Sequence, residues 1–192
     1  MKIEIRADNT AFISGYVNAV ERESRPVVTP RGRVNELIEP RAFAQALERA
    51  ENVNMTVDHT DRVVADTKDG SLSLHEDAIG LRAEATVTDP ETVEEARAGH
   101  VRGWSFGMRN VVDEVEERAE KLPLRRIKGF DLDHVTLVIH KIPCYSATSV
   151  EVRAEGESAL ETRCTDTDIS VSEHKKPVDY TEYEKRIKNL EV

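Results

Sequence analysis

FDLDHVTLVIHKIP, residues 130–143, is the stretch that decides the fold. Its β-branched residues favour extended backbone, and side chains along an extended strand point to alternate faces. Val135, Leu137 and Ile139 therefore share one face, and His134, Thr136, Val138 and His140 share the other. Six residues at about 3.3 Å each put the two histidines roughly 20 Å apart, so one site can use only one of them.

Shorter stretches of the same period recur upstream and downstream, each bounded by Gly, Pro, Asn or Asp. They are Lys2 to Arg6, Ala11 to Ala19, Val53 to Asp58, Ser71 to Leu74, Leu81 to Thr88, Val101 to Met108, Asn110 to Glu116, Leu132 to His140 and Thr148 to Arg153. That spacing is the mark of a β-sandwich or barrel. Two helices interrupt it. Arg41 to Ala50 follows Pro40 and places Phe43, Ala44, Leu47 and Ala50 on one face. The second has Asp89 as N-cap, Pro90 at the first helical position and Gly99 just past its end. The expected fold is mostly β with peripheral helices, an α+β arrangement in which two short surface helices cover a barrel.

From Ala154 to Asp179 the chain is rich in Glu, Ser, Thr and Asp, with almost no large apolar residue. Such a segment buries too little surface to offset its ordering entropy and reads as a linker. Beyond it, Thr181 and Glu184 have capping-box spacing, and Tyr180, Tyr183, Ile187 and Leu190 form a narrow apolar stripe. The expected organisation is a domain over 1–153, a flexible polar linker over 154–179 and a short helix over 180–192. A helix this short is marginal alone and is expected to dock.

Composition narrows the function classes. The chain has 192 residues, 27 Lys and Arg against 37 Asp and Glu, and a formal net charge of −10. Its basic residues cluster no further than LRRIK at Leu124 to Lys128, so it lacks the electrostatic footprint of a nucleic-acid binder. No apolar run approaches the roughly 20 residues that cross a bilayer, so no membrane partner is expected. MKIEIRADNT alternates as a first strand does and lacks the apolar core of a secretory signal. Cys144 and Cys164 have no metal-type spacing and suggest no disulfide framework, which fits a reducing cytoplasm. No cofactor is implied, and protein partners are expected.

Three constellations carry candidate chemistry. In TVDHTD, His59 closes the apolar run Val53 to Val57 between Asp58 and Asp61, as a general base, a metal ligand or a solvated loop residue would. No second His follows at three or four residues, so a metal site lacks its usual spacing. In GHVRGWSFGMR, Ser105 lies between Trp104 and Phe106 and then Gly103 and Gly107. The glycines permit close backbone approach, and the aromatics are expected to exclude water around the hydroxyl. The same features suit a bulged strand of any barrel, and no strand–turn–helix follows to make a hydrolase elbow. The third constellation is the opening stretch, with His134.

In order, GYVNAVERES, IEPRAFAQAL, TVDHTD, IGLRAEATVTD, GWSFGM and LDHVTLVIHKIPCYSATSVEVR resemble the sequential blocks of the tailed-phage prohead proteases, from about Gly15 to Arg153. That family resembles in turn the herpesvirus maturation protease assemblin, a β-barrel wrapped by helices. The resemblance implies a serine endopeptidase that trims the major capsid protein and the scaffolding protein inside an assembling prohead in the host cytoplasm. It also implies a homodimer by analogy with assemblin; separately, a flexible exposed linker is a preferred site of nicking, and self-cleavage is expected between Ala154 and Asp179. His59 falls on the family's catalytic His and Ser105 on its nucleophile. Phage relatives commonly carry an acidic residue where this chain has His134, so His134 resembles the third member of assemblin's Ser-His-His arrangement, with Asp133 and Asp131 as rivals. A neutral His134 carries no negative charge, and a modest protease is the expectation. By the same resemblance the oxyanion donors are sought at Lys141, Ile142 and Cys144, since Pro143 has no N–H. Cys144 itself reads as a small buried hydrophobe.

Two other classes compete. A non-catalytic β-barrel serving as a scaffold or capsid interaction module accounts for the acidic surface and the tail, but not for His, Ser and His in protease order. A metal-dependent hydrolase centred on His59, Asp58 and Asp61 predicts sensitivity to chelators and indifference to serine reagents.

Overall fold

The computed structural model describes residues 1–29, 32–140, 160–166 and 168–174. In chain order the elements are β1 (Lys2–Ile5), β2 (Ala11–Ala19), β3 (Val27–Thr29), β4 (Gly32–Ile38), α1 (Ala42–Arg49), β5 (Asn54–Val57), β6 (Val63–Asp66) and β7 (Leu72–Glu76). There follow β8 (Gly80–Val87), α2 (Pro90–Arg97), β9 (Gly103–Glu116), β10 (Leu124–Val138), β11 (Glu161–Asp166) and β12 (Ser170–Glu173). Period-2 alternation shapes the strands: in β8, Leu81, Ala83, Ala85 and Val87 are buried while Arg82, Glu84 and Thr86 turn to the other face.

One sheet has the order β12-β1-β2-β8-β7, and the other runs β11-β9-β10-β4-β3 with β5 and β6 joined to it through β10. Strand β10 organises the second sheet. β9 runs antiparallel along one edge, while the other edge is divided between β4, parallel to residues 124–127, and β5, parallel to residues 134–137. α1 packs against β10, where Phe43 meets Phe106 and Phe130 edge-on at centroid distances of 5.3 and 5.1 Å. Arg41 at the start of α1 offers no side-chain cap, and Glu76 of β7 accepts from the Arg41 and Ala44 N–H groups instead, at 2.6 and 2.7 Å. α2 starts where its sequence signals lie: the Asp89 carboxylate accepts from Thr92 N–H, Pro90 opens the helix and Gly99 takes φ 75° beyond its end. Ile3, Ile13 and Ala83 of the first sheet share one apolar core with Phe106, Ile127 and Leu137 of the second and Phe43 of α1.

The mostly β, α+β class holds, with two short helices among the described residues. Among the described residues neither sheet closes into a barrel: no strand pairing joins the two, and the core lies between their inner faces. Val101 to Met108 and Asn110 to Glu116 are one continuous strand, β9, which Asn110 bends with φ 50° instead of ending.

The stretch read as a linker holds two strands, a correction with a clear cause. Composition measures apolar burial, but β12 joins β1 through its backbone, from Lys2↔Ser170 to Ile5↔Glu173, with all four side chains exposed. β11 is held to β9 by its ladder and to the rest of its sheet by the ion pairs of Arg163 with Glu36 and of Glu161 with Arg125. The proposed strand Thr148 to Arg153 and helix 180–192 lie outside the described residues.

Candidate active site

Register builds the site. Across β5, β10 and β9 the backbone aligns Thr56, Thr136 and Ser105 in one row, and Asn54, His134 and Gly107 in the next row on the same face. Thr56 donates its hydroxyl hydrogen to Thr136 Oγ1 at 3.0 Å, tying the row together. Ser105 is only 1% exposed, so its hydroxyl is a group already withdrawn from bulk water.

His59 arrives from the turn that ends β5. Asp58 and His59 both take left-handed backbone, φ 50° and 56°, a conformation that costs a non-glycine residue roughly 1–2 kcal/mol. Hydrogen bonds hold it. Asp58 N–H donates to the Leu137 carbonyl at 2.8 Å, His59 N–H to Thr136 Oγ1 at 3.2 Å and Thr60 N–H to the Val57 carbonyl at 2.9 Å. The buried Asp58 carboxylate accepts from the Ile139 and His140 N–H groups at 2.8 and 2.9 Å, fastening the turn to the chain just beyond β10. The imidazole of His59 is thereby folded back over the sheet.

There it links the other two residues. His59 Nε2 lies 2.8 Å from Ser105 Oγ, and His59 Nδ1 lies 2.7 Å from His134 Nε2. The His134 ring occupies space that only glycine leaves open at position 107: a Cβ there meets His134 Cε1 at 2.5 Å and Nδ1 at 2.8 Å. Glycine at this position clears room for a ring, a more specific role than general backbone freedom.

A β-bulge adds a fourth group. Leu132 pairs with Met108 and His134 with Gly107, so Asp133 is an extra residue in β10 opposite no partner. Strict alternation sends Asp133 to the face opposite His134. The bulge returns it, and His134 Nδ1 lies 2.7 Å from Asp133 Oδ2, while Arg109 Nε–H donates to Asp133 Oδ1 at 2.5 Å. The hydrogen bond from His134 foremost, helped by Arg109 and opposed by partial burial, pulls the Asp133 carboxyl down to about 2. Asp133 is therefore an anion near neutral pH and can only accept. That assigns the protons in sequence: His134 carries Nδ1–H and presents its Nε2 lone pair, His59 donates Nδ1–H to it, and His59 Nε2 is left as an acceptor facing the Ser105 hydroxyl.

The other expected residues are placed elsewhere. Asp131 pairs with Asn110 and Arg49, Asp61 is exposed, and His140 is exposed with its ring on Asp58, 3.1 Å away. Among the described residues no group of three or more His, Cys, Asp or Glu is arranged to hold a metal ion. Lys141, Ile142 and Cys144 lie outside the described residues. Trp104 and Phe106 do not shield the serine. They alternate with it and enter the core on the opposite face of β9. A surface depression lined by Val63, Val64, Asp69, Ser71 and Thr86 contains none of the clustered residues.

What sequence reasoning missed is β11. It runs antiparallel along the outer edge of β9 with Cys164 opposite Ser105, and the Ser105 hydroxyl also lies 2.6 Å from the Arg163 carbonyl oxygen. One proton cannot serve both that oxygen and His59. The Arg163 guanidinium enters a buried ion cluster with Glu36 of β4, Arg125 of β10, Asp113 of β9 and Glu161. Burial opposes charge on Arg125 and Arg163, yet the hydrogen bonds and fields of these carboxylates raise both above the ordinary arginine value. No local signal marks these partners, which come from four separate strands.

Comparison with curated proteins and with solved structures gives no significant match. A family model described as Caudovirus prohead serine protease matches residues 1–162 of the 192. The chain belongs to that family, the serine proteases of phage capsid maturation.

Proposed function

We propose that the chain is an endopeptidase with Ser105 as nucleophile, His59 as general base and His134 as third member, backed by Asp133. The observation that carries this reading is the unbroken run of hydrogen bonds from Ser105 through His59 and His134 to Asp133, drawn from two strands and a turn. Ser105 Oγ attacks the substrate carbonyl carbon as His59 Nε2 takes its proton. The peptide C–N bond then breaks, and the imidazolium gives that proton to the departing amine. Water, deprotonated by His59, cleaves the acyl ester and regenerates the serine. A neutral His134 alone supports the imidazolium weakly, and the Asp133 carboxylate supplies the missing negative charge one ring further out.

Backbone N–H groups at Lys141, Ile142 and Cys144 are the proposed oxyanion donors. The hold of Asp58 on Ile139 and His140, immediately upstream, supports that choice. The proposed substrates are the major capsid protein and the scaffolding protein inside the prohead, acted on by a monomer or a homodimer. Self-cleavage within 154–179 is supported by the approach of β11 to Ser105.

A fluorophosphonate should label Ser105, and Ser105→Ala should abolish processing of the cognate capsid or scaffolding protein. Undiminished processing by that variant overturns the assignment and leaves the interaction-module reading. Activity of His134→Ala equal to wild type removes His134 from the set. Self-cleavage predicts a mass loss in the active chain that Ser105→Ala lacks. Specific activity that rises with protein concentration indicates the dimer.

A further inference from the structure

The position of β11 has a consequence for what the protease cuts. A protease nucleophile on a strand meets its substrate most readily when the peptide adds to that strand's free edge, because the backbone ladder then fixes the carbonyl opposite the hydroxyl. The outer edge of β9 is such an edge, and β11 fills it with its Arg163 carbonyl oxygen 2.6 Å from Ser105 Oγ. Arg163 thus stands where a substrate presents the residue on the acyl side of the scissile bond.

Its side chain reports what that place accepts. The guanidinium donates from Nε to Glu36 Oε2 at 2.5 Å and from Nη2 to Glu36 Oε1 at 2.7 Å, a bidentate fork on a carboxylate that is only 4% exposed. Arg125 supplies the remaining contact, at 2.9 Å. The net charge around this place is the same with or without β11; what an occupant supplies is hydrogen-bond partners for Glu36. With β11 present, two arginines face Glu36, Asp113 and Glu161. Departure of β11 removes Arg163 and Glu161 together and leaves Arg125 against both Glu36 and Asp113. Glu36 then loses two of its three hydrogen bonds while still buried, and a buried carboxylate without partners is strongly disfavoured.

We infer that the outer edge of β9 is the substrate track and that Glu36 selects an arginine or lysine side chain on the acyl side of the cleaved bond, with β11 lying in the track as the chain's own occupant. The inference rests on Ser105 being the nucleophile. An apolar or amide side chain in the same place leaves Glu36 short of a cation, and that absence is what discriminates.

Two readouts separate the inference from the protease assignment. The first is fluorophosphonate labelling of Ser105 in the full chain. The second is kcat/KM on fluorogenic peptides identical except for Arg, Lys, Gln or norleucine before the cleaved bond, measured for the wild type and for Arg163→Gln. The Arg and Lys peptides are expected to exceed the Gln peptide by at least about tenfold. Arg163→Gln, which weakens β11's own hold, is expected to turn over the Arg peptide faster than the wild type. Glu36→Gln should bring the Arg-to-Gln ratio near parity, and if that variant fails to fold, the panel on the other two chains decides. Absence of labelling is a failure of the protease assignment. A Ser105 that labels, in chains that cut the Gln or norleucine peptide as well as the Arg and Lys peptides, overturns the specificity inference alone. Slower turnover by Arg163→Gln overturns the placing of β11 in the track.

Discussion

Replacing Asp133 by Asn tests whether one carboxylate sets the protons of the whole cluster. In the native chain Oδ1 accepts from Arg109 and Oδ2 from His134. An asparagine must keep its oxygen toward the guanidinium, because turning the amide puts an NH2 against Arg109. Its NH2 therefore faces His134 Nδ1. His134 responds by moving its proton to Nε2, His59 moves its own from Nδ1 to Nε2, and the base now points a hydrogen at Ser105. Regaining the useful arrangement sets two N–H groups against each other in a half-buried place, at a cost of about 1–3 kcal/mol. At about 1.4 kcal/mol per factor of ten, Ser105 should react about 5- to 140-fold more slowly. Asp133→Ala removes the acceptor without inserting a donor and should cost less, about 3- to 10-fold, from loss of a bond worth about 1 kcal/mol. Adding Arg109→Ala to Asp133→Asn frees the amide to turn and should bring the rate back toward the alanine level. The assay is the second-order rate of Ser105 modification by a fluorophosphonate, followed by intact mass, which requires no known substrate. An asparagine variant that reacts as fast as the alanine variant, or a double variant with no recovery, refutes the proton assignment.

Gly107→Ala should slow the same labelling at least about tenfold, because the new Cβ overlaps the His134 ring and must displace it, with about 1–3 kcal/mol lost in stability by denaturant unfolding. Asp58→Ala leaves the Ile139 and His140 N–H groups without their acceptor and should destabilise the fold by about 2–4 kcal/mol, read as a lower denaturation midpoint at unchanged slope. The Asp133 carboxyl is depressed to about 2 in the fold, so its contribution is present above the ordinary aspartate value near 3.8 and is lost as pH falls toward 2. The stability gap between wild type and Asp133→Ala should accordingly narrow across that acid window; a gap that widens as pH falls through it contradicts the shift.

Much of the site was legible in the sequence, because alternation is a local property. The pattern in 130–140 places His134 and Thr136 on one face, and the structure keeps them there with Ser105. The same rule, applied around Ser105, turns Trp104 and Phe106 away from the hydroxyl, so shielding by those rings was never available. Asp133 was legible only as a rival to His134, because its place behind that ring depends on a bulge, a mismatch between two strands that neither strand encodes alone. β4 was missed for another reason. Its inward positions are Val34, Glu36 and Ile38, and a charge in the middle breaks the apolar pattern. The arginines that make Glu36 tolerable lie 89 and 127 residues away, at Arg125 and Arg163. The polar run 154–179 misled in the same way, since β11 is held by ion pairs and a backbone ladder rather than by apolar burial.

The parallel pairing of β5 with β10 bears on when the enzyme becomes dangerous. It joins residues 80 apart, as Thr56 and Thr136 are, and together with the hydrogen bonds of the following turn it carries His59 across to Ser105 and His134. Contacts this distant form late, after the entropy of closing a long loop has been met. Until they form, a partly made chain holds a serine and two histidines but no relay between them. The proposed relay is thus a property of the completed fold, and Ser105 labelling should appear in refolding only once the β5–β10 pairing has formed.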